Sequence, residues 1–584
     1  MGIFLWRRRA RTPYTPRAKV RYTRGSPAAG EPMSEEKQSL WSQIRAFDGV
    51  FWICIFMELM ERMAYYGVRL VVPVFLVLAP SDGGPGLSHT EKGTILACWA
   101  AMQSWLPTFS GGFSDRFGYK RTIAVSVILK TLGYAGMAMA GGFWTMLAGT
   151  QLLAAGTGLF KPGIQGTMAH SIAKTNGAES MGWGLFYQSV NVGAAVSAYI
   201  PMFTRDIFGW SSVFWACSAI VLSNLIPLMF YQDPTDERQT ERDERGVMQL
   251  VRESVGVVFT SPVLLGFILI SAGFWFTFHQ MFDMLPNYVD DWTDSSLLLV
   301  SLGSLFHIDS WLSAGQAGEL IPQERLLNIN ALMIMFTMFI FAWLSSRMRV
   351  LTSTIVGMAV ATGAVALLIS SANVYVIVLA VVIFTVGEML SSPKRQEFMA
   401  NLAPPGKRAL FLGYANMPDG IGWVLGSLIA GSQYEEKGDK VNLTRRMLSE
   451  QPAPGAVEQF VREAGAYEEK ALAETADHIR EALALADTTT PQQALEAFAS
   501  HADRAALLPE VLPRGHVIDF AVRALPQLPD GGANSPGALR DYLYTTYHPG
   551  KVWIPFVVLS ATSAVLMVVF DRWVQARKAR GQTL

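Results

Sequence analysis

The sequence predicts an all-α integral membrane protein: twelve transmembrane helices in two six-helix bundles, with the N- and C-termini cytoplasmic. Three observations lead there. Hydrophobic residues make up 51% of the 584 positions and charged residues only 16%, where a soluble protein carries roughly 25% charge. The apolar residues run on for about 20 positions at a time, the length of helix that crosses a bilayer, without the alternation of a strand. Lys and Arg recur in every second connection, which orients the spans. The 47 basic and 47 acidic residues cancel, so no global field points to nucleic acid. Three Cys exclude a disulfide scaffold. The high hydrophobicity excludes a disordered chain.

The expected spans are 49–79, 91–113, 121–141, 143–169, 181–204, 211–231, 262–289, 326–346, 350–371, 373–400, 408–433 and 551–574. The first is not a cleaved leader, because it is long, holds four charges and lacks a small-residue cleavage site. The basic connections are Arg116, Lys120 and Arg121; Arg238, Arg242, Arg245 and Arg252; Arg347 and Arg349; Lys394 and Arg395 with Lys407 and Arg408; and the tail Arg572, Arg577, Lys578 and Arg580. All fall on one side, with the Arg-rich N-terminus. Residues 1–44 are thus a basic cytoplasmic tail, expected to be disordered, in which Met33 rivals Met1 as the start. Residues 45–231 are the N-terminal six-helix bundle, 232–261 a charged cytoplasmic linker, and 262–433 helices seven to eleven. Residues 434–549 are an extracytoplasmic insertion with 18 acidic and 11 basic residues, and 550–584 are helix twelve and a cytoplasmic tail. In the insertion, 456–486 has helical spacing, and order is expected to fall after Pro509, where Pro and Gly become dense. Six spans on each side of a linker is the outline of a two-halved secondary transporter.

The sharpest chemical signal is in the first span, which holds Glu58, Glu61, Arg62 and Arg69 with Tyr65, Tyr66 and Gly67. A charge inside a bilayer costs about 2.5–3.5 kcal/mol even on lenient scales. These four charges share one broad helix face, so they need partners. A buried carboxylate beside an Arg is poised between protonated and ionised forms, which suits proton uptake and release.

Glu58-x-x-Glu61-Arg62-x-x-Tyr65-Tyr66-Gly67-x-Arg69 resembles the first-helix motif of the proton-dependent oligopeptide transporters of the major facilitator superfamily. Gly156-Thr-Gly158-Leu-Phe-Lys161-Pro162 is similar to that family's fourth-helix signature. Phe186-Tyr187-Gln-Ser-Val-Asn191-Val-Gly193 is similar to its fifth. Gly111-x-x-x-Asp115-Arg116-x-Gly118-x-Lys120-Arg121 resembles the superfamily's loop between helices two and three. Gly387-Glu388-Met-Leu-Ser-Ser-Pro393 resembles the tenth-helix motif, Phe274-Trp275 the seventh and Asn328-Ile-Asn330 the eighth.

The resemblance implies the major facilitator fold and residue roles. Glu58, Glu61, Arg62 and Lys161 would be the proton-coupling set, with Lys161 the cationic partner of the carboxylates. Arg62, Tyr65, Tyr66, Arg69, Lys161, Asn191, Asn330 and Glu388 would bind substrate, with Glu388 holding an amino group opposite the two cations. One position departs from the pattern. The seventh helix commonly has an acid just before Gln280, and here His279 stands there. Either Asp283, one turn on, pairs with Arg69 instead, or His279 adds a gate or proton site of its own.

The implied activity is proton-coupled symport of di- and tripeptides by alternating access in a bacterial inner (plasma) membrane. The expected partners are small peptides, protons and the lipid bilayer, with no nucleic acid and a monomer sufficing. No cofactor and no metal is expected, because the proton gradient drives the cycle and the sequence has no Walker A loop or His-Glu-x-x-His. A catalytic constellation is also missing, so the chain is not read as an enzyme. Two rivals stand beside this reading: transport of another zwitterionic or anionic solute, and a transporter-like receptor.

Overall fold

In the computed structural model, residues 44–175, 179–230, 233, 258–259, 261–403, 411, 413–451, 455–525 and 527–580 are described. The basic tail, nearly all of the linker, Lys407 and Arg408, and the side chains of Asp115 and Arg116 lie outside them.

The described chain is helical. The N-terminal half holds α1 (Gly49–Arg69), α2 (His89–Phe117), α3 (Tyr119–Ala138), α4 (Phe143–Ile172), α5 (Glu179–Ser197) and α6 (Ser211–Leu222). Local chemistry sets their ends. The Asp48 carboxylate accepts from the Phe51 amide at 2.9 Å and starts α1. A reciprocal Ser88–Glu91 capping box starts α2. Gly118 at φ 95° turns the chain sharply from α2 into α3. Helix α3 packs on α4 at Gly133, where an added Cβ would lie 2.7 Å from the Leu153 nitrogen. Small residues permit that close approach, the usual means of packing helices in lipid.

The C-terminal half holds α7 (Pro262–Phe278), which continues through the short pieces Gln280–Asp283 and Leu285–Trp292. After it come α8 (Ser296–Phe306), α9 (Asp309–Gln316), α10 (Ile329–Ser346), α11 (Val350–Ser370), α12 (Val374–Leu402) and α13 (Met417–Lys437). Helix α12 runs unbroken through Pro393. Lys394 and Arg395 therefore lie within the helix, as the expected span 373–400 has them, and not in the basic connection to which the sequence also assigns them. The insertion follows as α14 (Lys440–Glu450), α15 (Ala456–Ala464), α16 (Glu469–Ala482), α17 (Pro491–Ser500), α18 (Arg504–Val511), α19 (Val517–Ala524) and α20 (Pro536–Tyr547), and α21 (Ile554–Ala579) closes the described chain.

Two separate apolar cores match the two halves. One joins α1 to α6 through Phe51, Trp99, Tyr134 and Phe214. The other joins the C-terminal helices and continues into the insertion through Phe460, Phe498 and Phe520. Among the described residues, six helices are long and apolar enough to cross a membrane: Ser211–Leu228, Pro262–Asp283, Gln323–Ser346, Val350–Ser370, Val374–Leu402 and Pro549–Ala579. Helix α1 falls outside that set because Glu58, Glu61 and Arg62 interrupt it.

The expected loss of order after Pro509 is not found. Helices α19 and α20 form there, and Phe520 and Leu543 are fully buried. Pro536 sits in the first turn of α20, where its missing N–H costs nothing.

The halves are tied at the end that carries the 79–88 turn, the 290–325 segment and the insertion. Lys92 donates to the Asn287 side chain at 2.7 Å. Gln323 donates to the Leu70 carbonyl at 2.9 Å. Arg205 pairs with Glu324 at 2.7 Å. Arg514 of the insertion grips Asp439 with two nitrogens at 2.8 and 2.9 Å and reaches the Val77 carbonyl at 2.9 Å.

Candidate functional site: a chain of buried charges between the halves

Helix α1 turns Glu58, Glu61 and Arg62 into the N-terminal half, where they are 4%, 0% and 5% exposed. Arg62 Nε lies 3.1 Å from Glu58 Oε1 and is also paired with Glu61. Lys130 of α3 donates to the other oxygen of Glu61 and is itself 0% exposed. Its ammonium lies 4.2 Å from the Phe160 ring centre. Its stem passes over Gly156 of α4, where an added Cβ would sit 2.6 Å from Lys130 Cγ. The glycine of the fourth-helix motif thus makes room for the lysine of the third helix. The result is a line of alternating charge, Glu58–Arg62–Glu61–Lys130, from which water is largely removed. Each member would be costly alone and is offset by its neighbours.

Two turns along α1, Arg69 pairs with Asp283 of the continued α7 and donates to the Phe282 carbonyl at 3.2 Å. Asp283 also accepts from Trp423 Nε1 at 2.8 Å and from the Ser427 hydroxyl at 2.9 Å. The Arg69 guanidinium lies 4.9 Å from the Trp423 ring centre and 5.9 Å from that of Trp99. This is the Asp283 alternative that the sequence left open.

In the C-terminal half, Asn330 of α10 donates to Glu388 of α12 at 2.8 Å and to Thr385 at 3.0 Å. His279 lies 3.1 Å from Asp419 of α13 through Nε2, and its ring stacks on Trp423 at 4.4 Å with an 8° tilt. Arg395 of α12 reaches the same Asp419 oxygen at 3.4 Å.

The expected residues are therefore distributed as follows. Glu58, Glu61 and Arg62 come together, Arg69 meets Asp283, and Asn330 meets Glu388. Lys161 is not the direct partner of the carboxylates. Lys130 takes that place, and Lys161 makes no ion pair among the described residues, although it lies within electrostatic reach of Glu58, Glu61 and Asp419. The Tyr65 hydroxyl is held by Gln103 at 2.9 Å, so it is engaged internally. Tyr66 stays half-buried, within reach of Glu388. Asn191 donates to the Tyr187 carbonyl at 3.1 Å. Sequence reasoning missed Lys130, Asp419 and Arg395. The signal for each was present, since a charge inside an expected span calls for a partner.

Two helical halves with separate cores, meeting across buried ion pairs, define a two-halved helical membrane protein. The chain belongs to the major facilitator superfamily: residues 51–427 match the model of the family described as Major Facilitator Superfamily. Among curated proteins it is similar to a dipeptide and tripeptide permease A of Proteus mirabilis, 28% identical over 40% of this chain and 48% of the relative. A dipeptide and tripeptide permease A of Erwinia pyrifoliae is 28% identical over 31% of this chain and 36% of its own length. The chain thus matches a third to a half of the length of these relatives, which are named as permeases and not as enzymes. A solved peptide transporter, POT, in complex with sulfate shares the fold with a TM-score of 0.54 and 17% identity, covering 65% of this chain and 88% of that one.

Proposed function

We propose that this chain is a proton-coupled symporter that imports di- and tripeptides by alternating access. The observation that carries the proposal is the buried line Glu58–Arg62–Glu61–Lys130 in one half together with a Glu388–Asn330 pair in the other. A zwitterionic peptide needs a cationic wall and an anionic wall about one peptide length apart. Arg62 and Lys161 supply the first, and Glu388 supplies the second. Proton arrival at Glu58 or Glu61 weakens their hold on Arg62, which then takes the peptide carboxylate. Loss of the proton on the other side re-forms the internal pairs and expels the peptide. Lys130 holds the Glu61 carboxylate in place between cycles.

The tied end, with Arg69–Asp283, faces outward in this reading, so the two halves are closed to the outside. The topology is twelve spans with both termini cytoplasmic and residues 434–549 outside. The membrane is the bacterial inner membrane. The names of the similar permeases support the peptide assignment. His279 paired with Asp419, at the position where the family resemblance implies an acid, favours a second reading: transport of another zwitterionic or anionic solute.

A competition series separates the two. Dipeptides, tripeptides, free amino acids and organic anions are tested against labelled dialanine in proteoliposomes. Peptides compete and the others do not if the first reading holds; failure of every peptide to compete would sink it.

A further inference from the structure

One buried cation is left over by this scheme. Arg395 lies on α12, seven positions after Glu388. Seven residues of helix are about two turns, so the two side chains leave the same face roughly 10 Å apart along the axis. The guanidinium sits 4.0 Å from the Trp275 ring centre. Its Nη1 approaches Asp419 at 3.4 Å, but Nε and Nη1 are buried with no hydrogen-bond partner among the described residues. His279 takes the same Asp419 oxygen at the shorter distance of 3.1 Å. Asp419 is also within electrostatic reach of Lys161 from the opposite half. One carboxylate thus serves three cationic or titratable groups: His279 sits nearest, Arg395 is held at the longer ion-pair distance, and Lys161 is reached only through its field.

Buried donors left unpaired are costly, and a carboxylate with two oxygens fits the guanidinium fork. The charge balance points the same way. Glu58, Glu61, Glu388 and Asp419 cancel Arg62, Lys130, Lys161 and Arg395. A zwitterionic peptide leaves that balance at zero, so each proton carried with it adds an uncompensated positive charge. A substrate with one extra negative charge removes that excess.

We propose that Arg395 is a specificity residue that receives an acidic side chain, so that the preferred substrates are di- and tripeptides containing Asp or Glu. The inference rests on the peptide-transport reading above. Trp275 lies against the guanidinium, and His279, nearer to the shared Asp419 oxygen, keeps Arg395 from a tight internal pair. A neutral side chain would leave the two donors unpaired. A basic one would meet Arg395 and Lys161 and be rejected.

The test is uptake of alanyl-glutamate, alanyl-glutamine and dialanine into proteoliposomes holding the unaltered protein, Arg395→Gln or Arg395→Lys. The unaltered protein should take up alanyl-glutamate in preference to its isosteric amide by about tenfold or more, the scale of one charge-assisted hydrogen bond. Arg395→Gln should abolish that ratio, and Arg395→Lys should restore part of it. An unaltered protein that transports dialanine but treats acid and amide alike overturns the assignment by itself, even if no variant folds. A ratio preserved in Arg395→Gln overturns it as well. Absence of uptake for all three peptides by the unaltered protein overturns the peptide reading, and this inference with it.

Discussion

Replacing Lys130 by Ala is the most informative perturbation of the N-terminal cluster. Lys130 and Glu61 both have fully buried side chains, so solvent screening does not soften their attraction as it does for surface pairs worth about 0–1 kcal/mol. Removing one partner of a buried pair strands the other charge, at a cost of about 3–5 kcal/mol. At about 1.4 kcal/mol per tenfold, that is two to three and a half orders of magnitude in the balance between the two forms of the cluster. Glu61 then keeps Arg62 alone as counter-ion, and Arg62 is shared with Glu58. The single variant should lose thermal stability in detergent and lose gradient-driven dialanine uptake by at least tenfold. The double variant Lys130→Ala, Glu61→Gln removes the stranded carboxylate, so it should recover much of the stability and none of the driven uptake. A double-mutant cycle then reports the coupling directly. Additive stability losses, or driven uptake by Lys130→Ala at the unaltered rate, would refute the reasoning.

Two further outcomes follow from the same contacts. Gly156→Ala places a methyl 2.6 Å from Lys130 Cγ and 2.9 Å from the Ser126 carbonyl. It should destabilise the protein by about 1–3 kcal/mol, as overpacking does, and should impair driven uptake more than counterflow exchange. At the base of the insertion, burial pushes the Asp291 carboxyl up to about 7, with Asp439 and Asp290 adding to it and Lys440 opposing. Its unfolded value is about 3.9. The stability it contributes is therefore complete below about pH 4 and lost as pH rises through about 7. Thermal stability should fall from about pH 4 to about pH 7 and level off above that, and Asp291→Asn should flatten that slope. Asp439 behaves in the opposite way. Burial pushes it up, but Arg514 and His89 outweigh that and hold it well below the usual carboxylate range. Its contribution is thus present at every pH above about 4, and Arg514→Ala should lower the melting temperature across that range.

The legible parts of the site were those in which a sequence-local pattern already held the geometry. Glu58 and Arg62 are one helical turn apart, so their pairing follows from the spacing alone. Arg69 with Asp283 was accessible as an alternative because the expected acid was missing from position 279. Lys130 was visible as a charge inside an expected span, but its pairing was not legible, because its partner lies 69 positions away. The contact depends on how closely α3 and α4 approach at Gly156, which composition does not report. Arg395 was misread for a different reason. Lys394 and Arg395 look like a cytoplasmic connection although the expected span 373–400 holds them, and only the approach of α12 to α13 in the fold places Arg395 beside Asp419. In the insertion, the Pro- and Gly-dense stretch after Pro509, expected to lose order, holds a proline that starts a helix, Pro536.

The central claim is that the α1 carboxylates couple transport to protons, with the α4 lysine near them receiving the peptide carboxylate. It is tested most directly by dialanine uptake into proteoliposomes under an imposed inward pH gradient, comparing the unaltered protein with Glu58→Gln, Glu61→Gln and Lys161→Ala. The account predicts uptake by the unaltered protein that collapses when the gradient is removed, and loss of driven uptake in all three variants, with counterflow exchange surviving in at least one. Driven uptake unchanged in all three variants would contradict it.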